Sequence, residues 1–286
     1  MRTRSLAVHR ARLGQVRIQD VPFADLLQLE PHGPDTFVGL AVSYPWGPRL
    51  FGGQVIAQSL RAAAATVAAD RPAHSLHAYF IRPGTHTEPI RFEVERLRDG
   101  RSFSTRQVVA RQSNGAILNL SVSFHAGEDE ADVQVDGLPE GLPSPDDPSL
   151  ADHGWGRLLD RRATDPVEGP SGYWIRLSAE VGDDPVMQAC ALAFMSDAAP
   201  SRAARTPHPD LSGDVTDRGR FQGASLDHAM WFHRPSRAEE WHWFSTRSHG
   251  LSGARGVVTG DVFAADGTQV ATFAQQVLLR RLREDR

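Results

Sequence analysis

Apolar positions recur along the chain at two spacings. After Gly52-Gly53, residues Ile56, Leu60, Ala63, Ala64 and Val67 share one face at helical spacing, with Gln54, Gln58 and Arg61 outside it; this predicts an amphipathic helix. Alternation then predicts strands near His74–Arg82, Pro89–Leu97, Phe103–Gln112 and Ala116–Phe124, the last two joined at Asn114-Gly115, a tight-hairpin signal. The second half reads the same way. Asp183 or Asp184 can cap a helix with Pro185 in its first turn. Strands are predicted near Trp174–Val181, Ser225–Arg234, Trp241–His249, Gly256–Phe263 and Thr268–Leu279, with Asp266-Gly267 as the matching hairpin. A Pro/Gly/Arg-rich loop between Ala199 and Arg220 has no first-half counterpart. One helix and four or five long antiparallel strands, made twice, is an α+β design in which a curved sheet wraps a central helix.

The two halves repeat. Tyr79-Phe80-Ile81-Arg82-Pro83 aligns with Trp231-Phe232-His233-Arg234-Pro235, and Phe80 to Phe232 is an offset of 152 residues. The offset from Gly115 to Gly267 is again 152. Two matches at one offset argue for a duplicated unit. Between the copies, Glu128 to Asp152 holds nine acidic residues, no arginine, and Pro139, Pro143, Pro145 and Pro148. Such a stretch is stiff and buries little, so it reads as a linker. The predicted division is 1–127 as an N-terminal scaffold half, 128–165 as linker and 166–286 as a C-terminal catalytic half.

Composition narrows the function. With 286 residues, 40% of them hydrophobic, and a formal charge of −4, the chain has the profile of an ordinary globular protein, without the basic excess of a nucleic-acid binder. All 31 cationic residues are arginine, which excludes Schiff-base and phosphate-loop lysine chemistry. Cys190 is the single cysteine; it allows no internal disulfide or cysteine metal site, and its apolar run suggests a small core side chain. Met1 to Asp20 lacks the hydrophobic core of a signal peptide, Arg283-Glu284-Asp285-Arg286 reads as no lipidation or peroxisomal signal, and no run reaches the ~18 apolar residues of a membrane helix. The expectation is a cytoplasmic protein without membrane insertion.

Three polar residues break the burial pattern of the second half. Val186, Cys190, Ala193 and Asp197 follow helical spacing, which puts a carboxylate on an apolar stripe. It either bonds a neighbouring backbone group at the helix end or does chemistry. Gln275 lies between Phe273 and Val277 on the face of the last strand, so its amide needs partners, either a loop carbonyl or something functional. Ser225 precedes the Asp227-His228 strand where the first copy has Ala73, and Ser123 is the repeat mate of Gln275. Gly223-Ala224-Ser225-Leu226-Asp227 lacks the second glycine of a nucleophile elbow. Asp227 and His228, adjacent on a strand, point to opposite faces, so a serine triad is rejected.

Several segments together resemble the acyl-CoA thioesterase II family, the TesB-like enzymes built as a double hotdog. They are Phe51-Gly52-Gly53-Gln54, His74 to Pro83, Leu97 to Phe103, Ser196-Asp197, Asp227-His228-Ala229-Met230-Trp231-Phe232-His233-Arg234-Pro235, and Val270 to Gln275. They run in family order from about residue 40 to the C-terminus. The resemblance implies a catalytic set of an Asp on the second helix, a Ser or Thr before the Asp-His strand and a Gln on the last strand. By motif these are Asp197, Ser225 and Gln275, the three exceptions above.

The implied reaction is hydrolysis of fatty acyl-CoA to fatty acid and CoA, with Asp197 as general base and Ser225 and Gln275 fixing one water. No cofactor or metal is expected, CoA being part of the substrate. Backbone amides are expected to meet the oxyanion and arginines the CoA phosphates. Gly53, His228, Trp231 and Phe273 are candidate pocket residues, with core packing the competing reading for Trp231, Phe273 and His228. Because Ala73 and Ser123 lack the required groups, one site per chain is expected. Open sheet edges predict a homodimer or larger assembly. The competing functions are a non-catalytic acyl-CoA-binding hotdog and a hotdog enoyl-CoA hydratase, the latter with His228 as its only histidine candidate.

Overall fold

The computed structural model describes residues 16–153, 158–163, 171–210 and 221–282. Residues 1–15 and 283–286, which carry most of the targeting expectations, and 211–220 of the Pro/Gly/Arg-rich loop lie outside the described residues. The first half contains a short helix α1 (Phe23–Leu26), strands β1 (Leu29–Pro31) and β2 (Thr36–Gly39), the helix α2 (Gly52–Ala64), and strands β3 (Ala73–Phe80), β4 (Ile90–Asp99), β5 (Phe103–Gln112) and β6 (Gly115–His125). The second contains β7 (Ala151–Asp152), β8 (Leu159–Ala163), β9 (Gly172–Leu177), α3 (Pro185–Ser196), α4 (Pro200–Arg205), β10 (Phe221–Ser225), β11 (Asp227–Phe232), β12 (His242–Ser245), β13 (Arg247–Ser252), β14 (Arg255–Ala264) and β15 (Gln269–Arg281).

The strands form one antiparallel sheet in the order β1-β2-β4-β5-β6-β3-β11-β15-β14-β12-β9-β8-β7, with β10 also on β15 and β13 on β14. From the β3/β11 seam outward the two arms repeat: β6, β5, β4, β2, β1 on one side and β15, β14, β12, β9, β8 on the other. Each arm bends round its own helix, and α2 and α3 pack against each other. This is the double hotdog that the resemblance implies. The core runs continuously through both halves, from Phe23, Ile56 and Phe92 to Phe194, Phe244 and Phe273.

The helix α2 departs from the amphipathic expectation. Gln54 and Gln58, expected outside the apolar stripe, are fully buried, and Arg61 is half-buried. A helix enclosed by its sheet and a second helix has no solvent face, so its polar residues must bond inward. Gln58 Nε2 donates to the carbonyls of Leu26 (2.8 Å) and Leu40 (2.9 Å), and Gln54 Nε2 to that of Leu40 (2.8 Å). The second helix is capped as expected: Asp184 Oδ1 accepts from the Val186 amide at 3.0 Å, with Pro185 in the first turn. Cys190 is buried, which pushes its thiol up to about 12.

Two expected long strands are broken. Ser225 ends β10, Leu226 intervenes and β11 starts at Asp227; Thr246 likewise separates β12 from β13. The stretch read as linker contributes β7 and β8 to the sheet, and it buries more than its acidity suggests. Leu138, Leu142 and Leu150 pack on the buried cluster of Trp174, Trp241, Trp243 and Phe263, and Trp174 Nε1 donates to the Pro143 carbonyl at 2.9 Å. α4 lies in the expected loop.

The hairpin glycines both take left-handed φ, +107° at Gly115 and +92° at Gly267, which a side chain would disfavour. The second turn is one residue longer, and this corrects the repeat mate of Gln275. β6 and β15 each carry a bulge, at Ile117 and Val270, an offset of 153. The inward residue matching Gln275 is therefore Val122, not Ser123, which lies on the other face of the strand. Ala73 remains the mate of Ser225, since Ala73 pairs with Phe124 as Ser225 pairs with Val277.

Candidate active site

Three elements of the second half and one of the first meet at Asp197. This residue caps the C-terminal end of α3 and is 7% exposed. Ser225 ends β10 opposite Val277 of β15, so its inward side chain lies diagonally beside Gln275. Gln275 points inward from β15 and is buried. From the first half, the N-terminus of α2 faces Asp197: its N-cap residue, Phe51, offers no side-chain cap, and the Gly53 amide is left to bond elsewhere.

The three side chains are in direct contact. Asp197 Oδ1 accepts from Ser225 Oγ at 3.1 Å and from Gln275 Nε2 at 3.0 Å. Gln275 Nε2 also donates to Ser225 Oγ at 2.7 Å. Asp197 Oδ2 accepts from the Gly53 amide at 2.9 Å. Burial raises the Asp197 pKa to about 6, against the lowering effect of the bonds from Gln275, Ser225 and Gly53. The result is a carboxylate that is ionised at neutral pH yet basic enough to take a proton. Burial, reinforced by the Asp197 charge, pushes the nearby Tyr44 phenol well up.

The four candidate pocket residues fare differently. Gly53 touches the carboxylate through its amide. His228 is buried behind Gln275, with Nδ1 2.6 Å from Gln275 Oε1 and Nε2 2.9 Å from Ser196 Oγ; burial lowers its pKa to about 4, so it is neutral. Phe273 is buried with its ring parallel to that of His228, centroids 6.3 Å apart, so it packs the network from within. Trp231 does not reach the site or the core. His228 and Met230 point inward, so strand alternation turns Trp231 to the opposite face, where it is 37% exposed against His77. By the same alternation, Asp227 faces away from His228, and its Oδ1 accepts from the Gln276 amide at 2.6 Å.

Two residues at the site escape pattern reading. Gly52 lies so close to Asp197 that a Cβ would sit 2.6 Å from Oδ2, and Ser196 reaches His228 from the end of α3. A glycine pair opening a helix that has no capping side chain was the available signal for the first; nothing in the pattern marks Ser196. Among the described residues no group of three or more His, Cys, Asp or Glu could hold a metal ion, and no helix is long and apolar enough to cross a membrane.

The comparisons agree with this architecture. The acyl-CoA thioesterase N-terminal domain model matches residues 42–125, and the acyl-CoA thioesterase C-terminal domain model matches residues 136–279. The chain is 32% identical over 299 aligned positions to the acyl-coenzyme A thioesterase 8 of Mus musculus, covering 92% of this chain and 90% of that protein. It superposes on the crystal structure of the acyl-CoA thioesterase II TesB2 from Mycobacterium marinum with a TM-score of 0.76 and 33% identity, covering 92% of this chain and 99% of that one. A hot dog fold protein from Alicyclobacillus acidocaldarius, 18% identical, shares the fold with a TM-score of 0.73, covering 91% of this chain and 98% of its own. With both halves matched in order and a relative aligned over nearly its whole length, the chain belongs to the acyl-CoA thioesterase II family.

Proposed function

We propose that this protein hydrolyses the thioester bond of fatty acyl-CoA by general-base activation of water at Asp197, assisted by Ser225 and held in register by Gln275. A hydrogen inventory supports these roles. Both amide hydrogens of Gln275 are committed, one to Asp197 and one to Ser225. The Ser225 hydroxyl hydrogen is committed to Asp197. Gln275 therefore has no donor left for water and acts as a positioning residue. Lone pairs remain on Asp197 and on Ser225 Oγ, and a water can donate to both.

The water oxygen adds to the thioester carbonyl carbon as Asp197 takes its proton. The carbon–sulfur bond of the tetrahedral intermediate then breaks, and the proton passes to the departing sulfur, giving fatty acid and CoA and regenerating the carboxylate. General-base catalysis contributes about 10² to 10⁴-fold. Thiolate is a fair leaving group, so the chemistry asks for no covalent nucleophile or cofactor.

The observation that carries the reading is the convergence of a hydroxyl, an amide and a backbone N–H on one buried carboxylate. The hydratase alternative loses support because both nitrogens of His228 are engaged within the protein. Thiol release from a panel of acyl-CoAs tests the proposal: wild type releases CoA, and Asp197→Ala and Gln275→Ala do not. Binding without release would instead make the protein an acyl-CoA sensor, and hydration of an enoyl-CoA would make it a hydratase. The proposal extends to a division of labour between a scaffold half (1–127) and a catalytic half (166–286) joined by 128–165. It also includes a cytoplasmic location and pairing of chains into a homodimer or larger assembly. Pairing is supported by β1 and β7, which among the described residues end the sheet with one neighbour each.

A further inference from the structure

We propose that His228, tethered by Ser196, is the positioning residue that fixes which way the Gln275 amide points, and so aims both of its N–H groups at Asp197 and Ser225. This rests on the hydrolytic reading above and adds to it the group that sets the geometry.

The two ends of a glutamine amide are alike in shape and opposite in polarity, so a buried one is oriented only by its partners. At one end, Nε2 lies 3.0 Å from Asp197 Oδ1 and 2.7 Å from Ser225 Oγ. At the other, Oε1 lies 2.6 Å from His228 Nδ1. A neutral imidazole carries a single N–H. With that hydrogen on Nδ1, it donates to Gln275 Oε1, and Nε2 accepts from the Ser196 hydroxyl 2.9 Å away. Every donor then points toward the carboxylate: Ser196 to His228, His228 to Gln275, and Gln275 to Asp197 and Ser225.

A second arrangement is also self-consistent. The Ser196 hydroxyl is 2.9 Å from the Ala193 carbonyl as well. If its hydrogen turns there, Nε2 of His228 becomes the donor to Ser196 and Nδ1 becomes an acceptor. The Gln275 amide must then reverse, putting its carbonyl against a carboxylate oxygen. An ionised Asp197 opposes that reversal, and Nδ1–H of His228 blocks it from the other side. Ser196, His228 and Gln275 are all buried, so no bulk water substitutes for a missing partner. In the first half the counterparts of His228 and Gln275 are Leu76 and Val122, and no such chain exists there.

The test compares three variants of the full chain. His228→Leu removes the donor. His228→Asn puts an amide nitrogen near the place of Nδ1, and His228→Gln puts one near the place of Nε2. Saturation kinetics with an acyl-CoA should show kcat falling about 10 to 100-fold in His228→Leu, as expected for a misplaced reacting group, with KM nearly unchanged. His228→Asn should recover most of the loss and His228→Gln little.

The acid limb of kcat/KM is the second readout. Losing the Gln275 N–H bond to Asp197 should move that limb to higher pH in His228→Leu but not in His228→Asn. The groups in contact with the carboxylate are Ser225, Gln275 and Gly53, and the nearby titratable group is the Tyr44 phenol, which stays protonated in this range. The tautomer can be read without any activity, from ring nitrogen–proton correlations in the wild-type protein, which should place the His228 proton on Nδ1.

A proton on Nε2 overturns the inference. So does a wild-type kcat and acid limb in His228→Leu, or equal losses in His228→Leu and His228→Asn with no change in the limb. Asp197→Ala separates the two levels. Full activity in that variant removes the hydrolytic reading itself, whereas an inactive Asp197→Ala beside a normal His228→Leu removes only the role of His228.

Discussion

Gly52→Ala is the sharpest probe of a site shared between the halves. The new Cβ would lie 2.6 Å from Asp197 Oδ2 and 2.7 Å from Phe80 Cε1. Phe80 is a ring on β3, and Asp197 is the proposed general base. Ordinary contact with the carboxylate begins near 3.4 Å, so Oδ2 has to retreat by about 0.8 Å unless the ring gives way. That retreat stretches its 2.9 Å bond to the Gly53 amide. A hydrogen bond to a charged group contributes about 1.5–3 kcal/mol, and overpacking costs about 1–3 kcal/mol. The better helix propensity of alanine offsets at most about 1 kcal/mol. The net expectation is a loss of about 1.5–6 kcal/mol in stability. Displacement of a reacting group by about 1 Å lowers kcat by about 10²-fold. Thermal unfolding and thiol release at saturating acyl-CoA measure the two effects. Gly137→Ala is the control, because nothing lies within 4 Å of its Cβ position, and it should behave as wild type. A Gly52→Ala enzyme with wild-type kcat would refute the claim that the first-half helix locates the base.

Two further outcomes follow from the buried polar groups. Because Asp197 must be ionised to act, kcat/KM should rise with pH through about 6; a flat profile between pH 5 and pH 7, about that value, would count against it as the base. The same group affects stability with a definite sign. Its folded pKa of about 6 lies above the ordinary 3.8, so its contribution is fully present below about pH 4 and is lost as pH rises through 6. His228 and His242, both lowered to about 4, act oppositely, stabilising above about 6.5 and losing that on acidification. Asp197→Asn removes this acid-favoured contribution, so its unfolding free energy should fall with acid more steeply than that of wild type, by on the order of 3 kcal/mol over this window; parallel pH curves would contradict it. Gln58→Leu strips the donor from the Leu26 carbonyl and an acceptor from Gln54 Nε2, while the Leu40 carbonyl keeps its bond from Gln54, and should cost about 2–6 kcal/mol, since each buried orphan costs about 1–3; denaturant unfolding with an unchanged midpoint would be the contrary result.

Much of this architecture is legible in the chain because the second half breaks its own rules locally. An aspartate on an apolar stripe and a glutamine between Phe273 and Val277 stand out without any knowledge of the fold. The duplication is legible too, from distinctive residues at a constant offset. What fails is reading that assumes a solvent side. Gln54 and Gln58 sit at positions that would face water on a surface helix, yet α2 is enclosed and both amides bond inward. Strand parity was available for Trp231, since His228 and Met230 claim the inner face, but a large aromatic beside a catalytic motif invites a pocket role. The single extra residue in the Ala265-Asp266-Gly267 turn shifts the counterpart of Gln275 by one position, which reverses the face being compared. Acidic composition concealed the role of Leu138, Leu142 and Leu150, because three leucines against a tryptophan cluster are invisible until the strands carrying Trp174 and Trp243 are paired.

The duplicated halves differ at both ends of the candidate site, and the difference supports one active centre per chain. In the second half, Asp184 caps its own helix, and Pro185 has no N–H to offer. In the first half, Phe51 leaves the α2 terminus uncapped, and Gly53 donates across to Asp197. At the opposite pole, where the first half would need its own carboxylate, hydroxyl and amide, it has Ala65 after the helix, Ala73 and Val122. The space beside Val122 is taken by Arg106, buried to 1% exposure, which pairs across the strand from it just as Val258 pairs with Gln275. All five N–H groups of Arg106 are used: on Thr66 Oγ1 and its carbonyl, on the carbonyls of Arg98 and Thr105, and on Asp99. An arginine so engaged is a structural plug that ties the end of α2 to β4 and β5. Arg106→Met should therefore leave several acceptors short of donors and lower stability by about 3 kcal/mol or more, at about 1–3 kcal/mol for each buried group left unsatisfied. Asp99, half exposed, recovers its solvation. At a temperature where the variant remains folded, kcat should equal that of wild type. A fall in kcat without a fall in the unfolding midpoint would mean that the first half takes part in the chemistry beyond the helix end it lends.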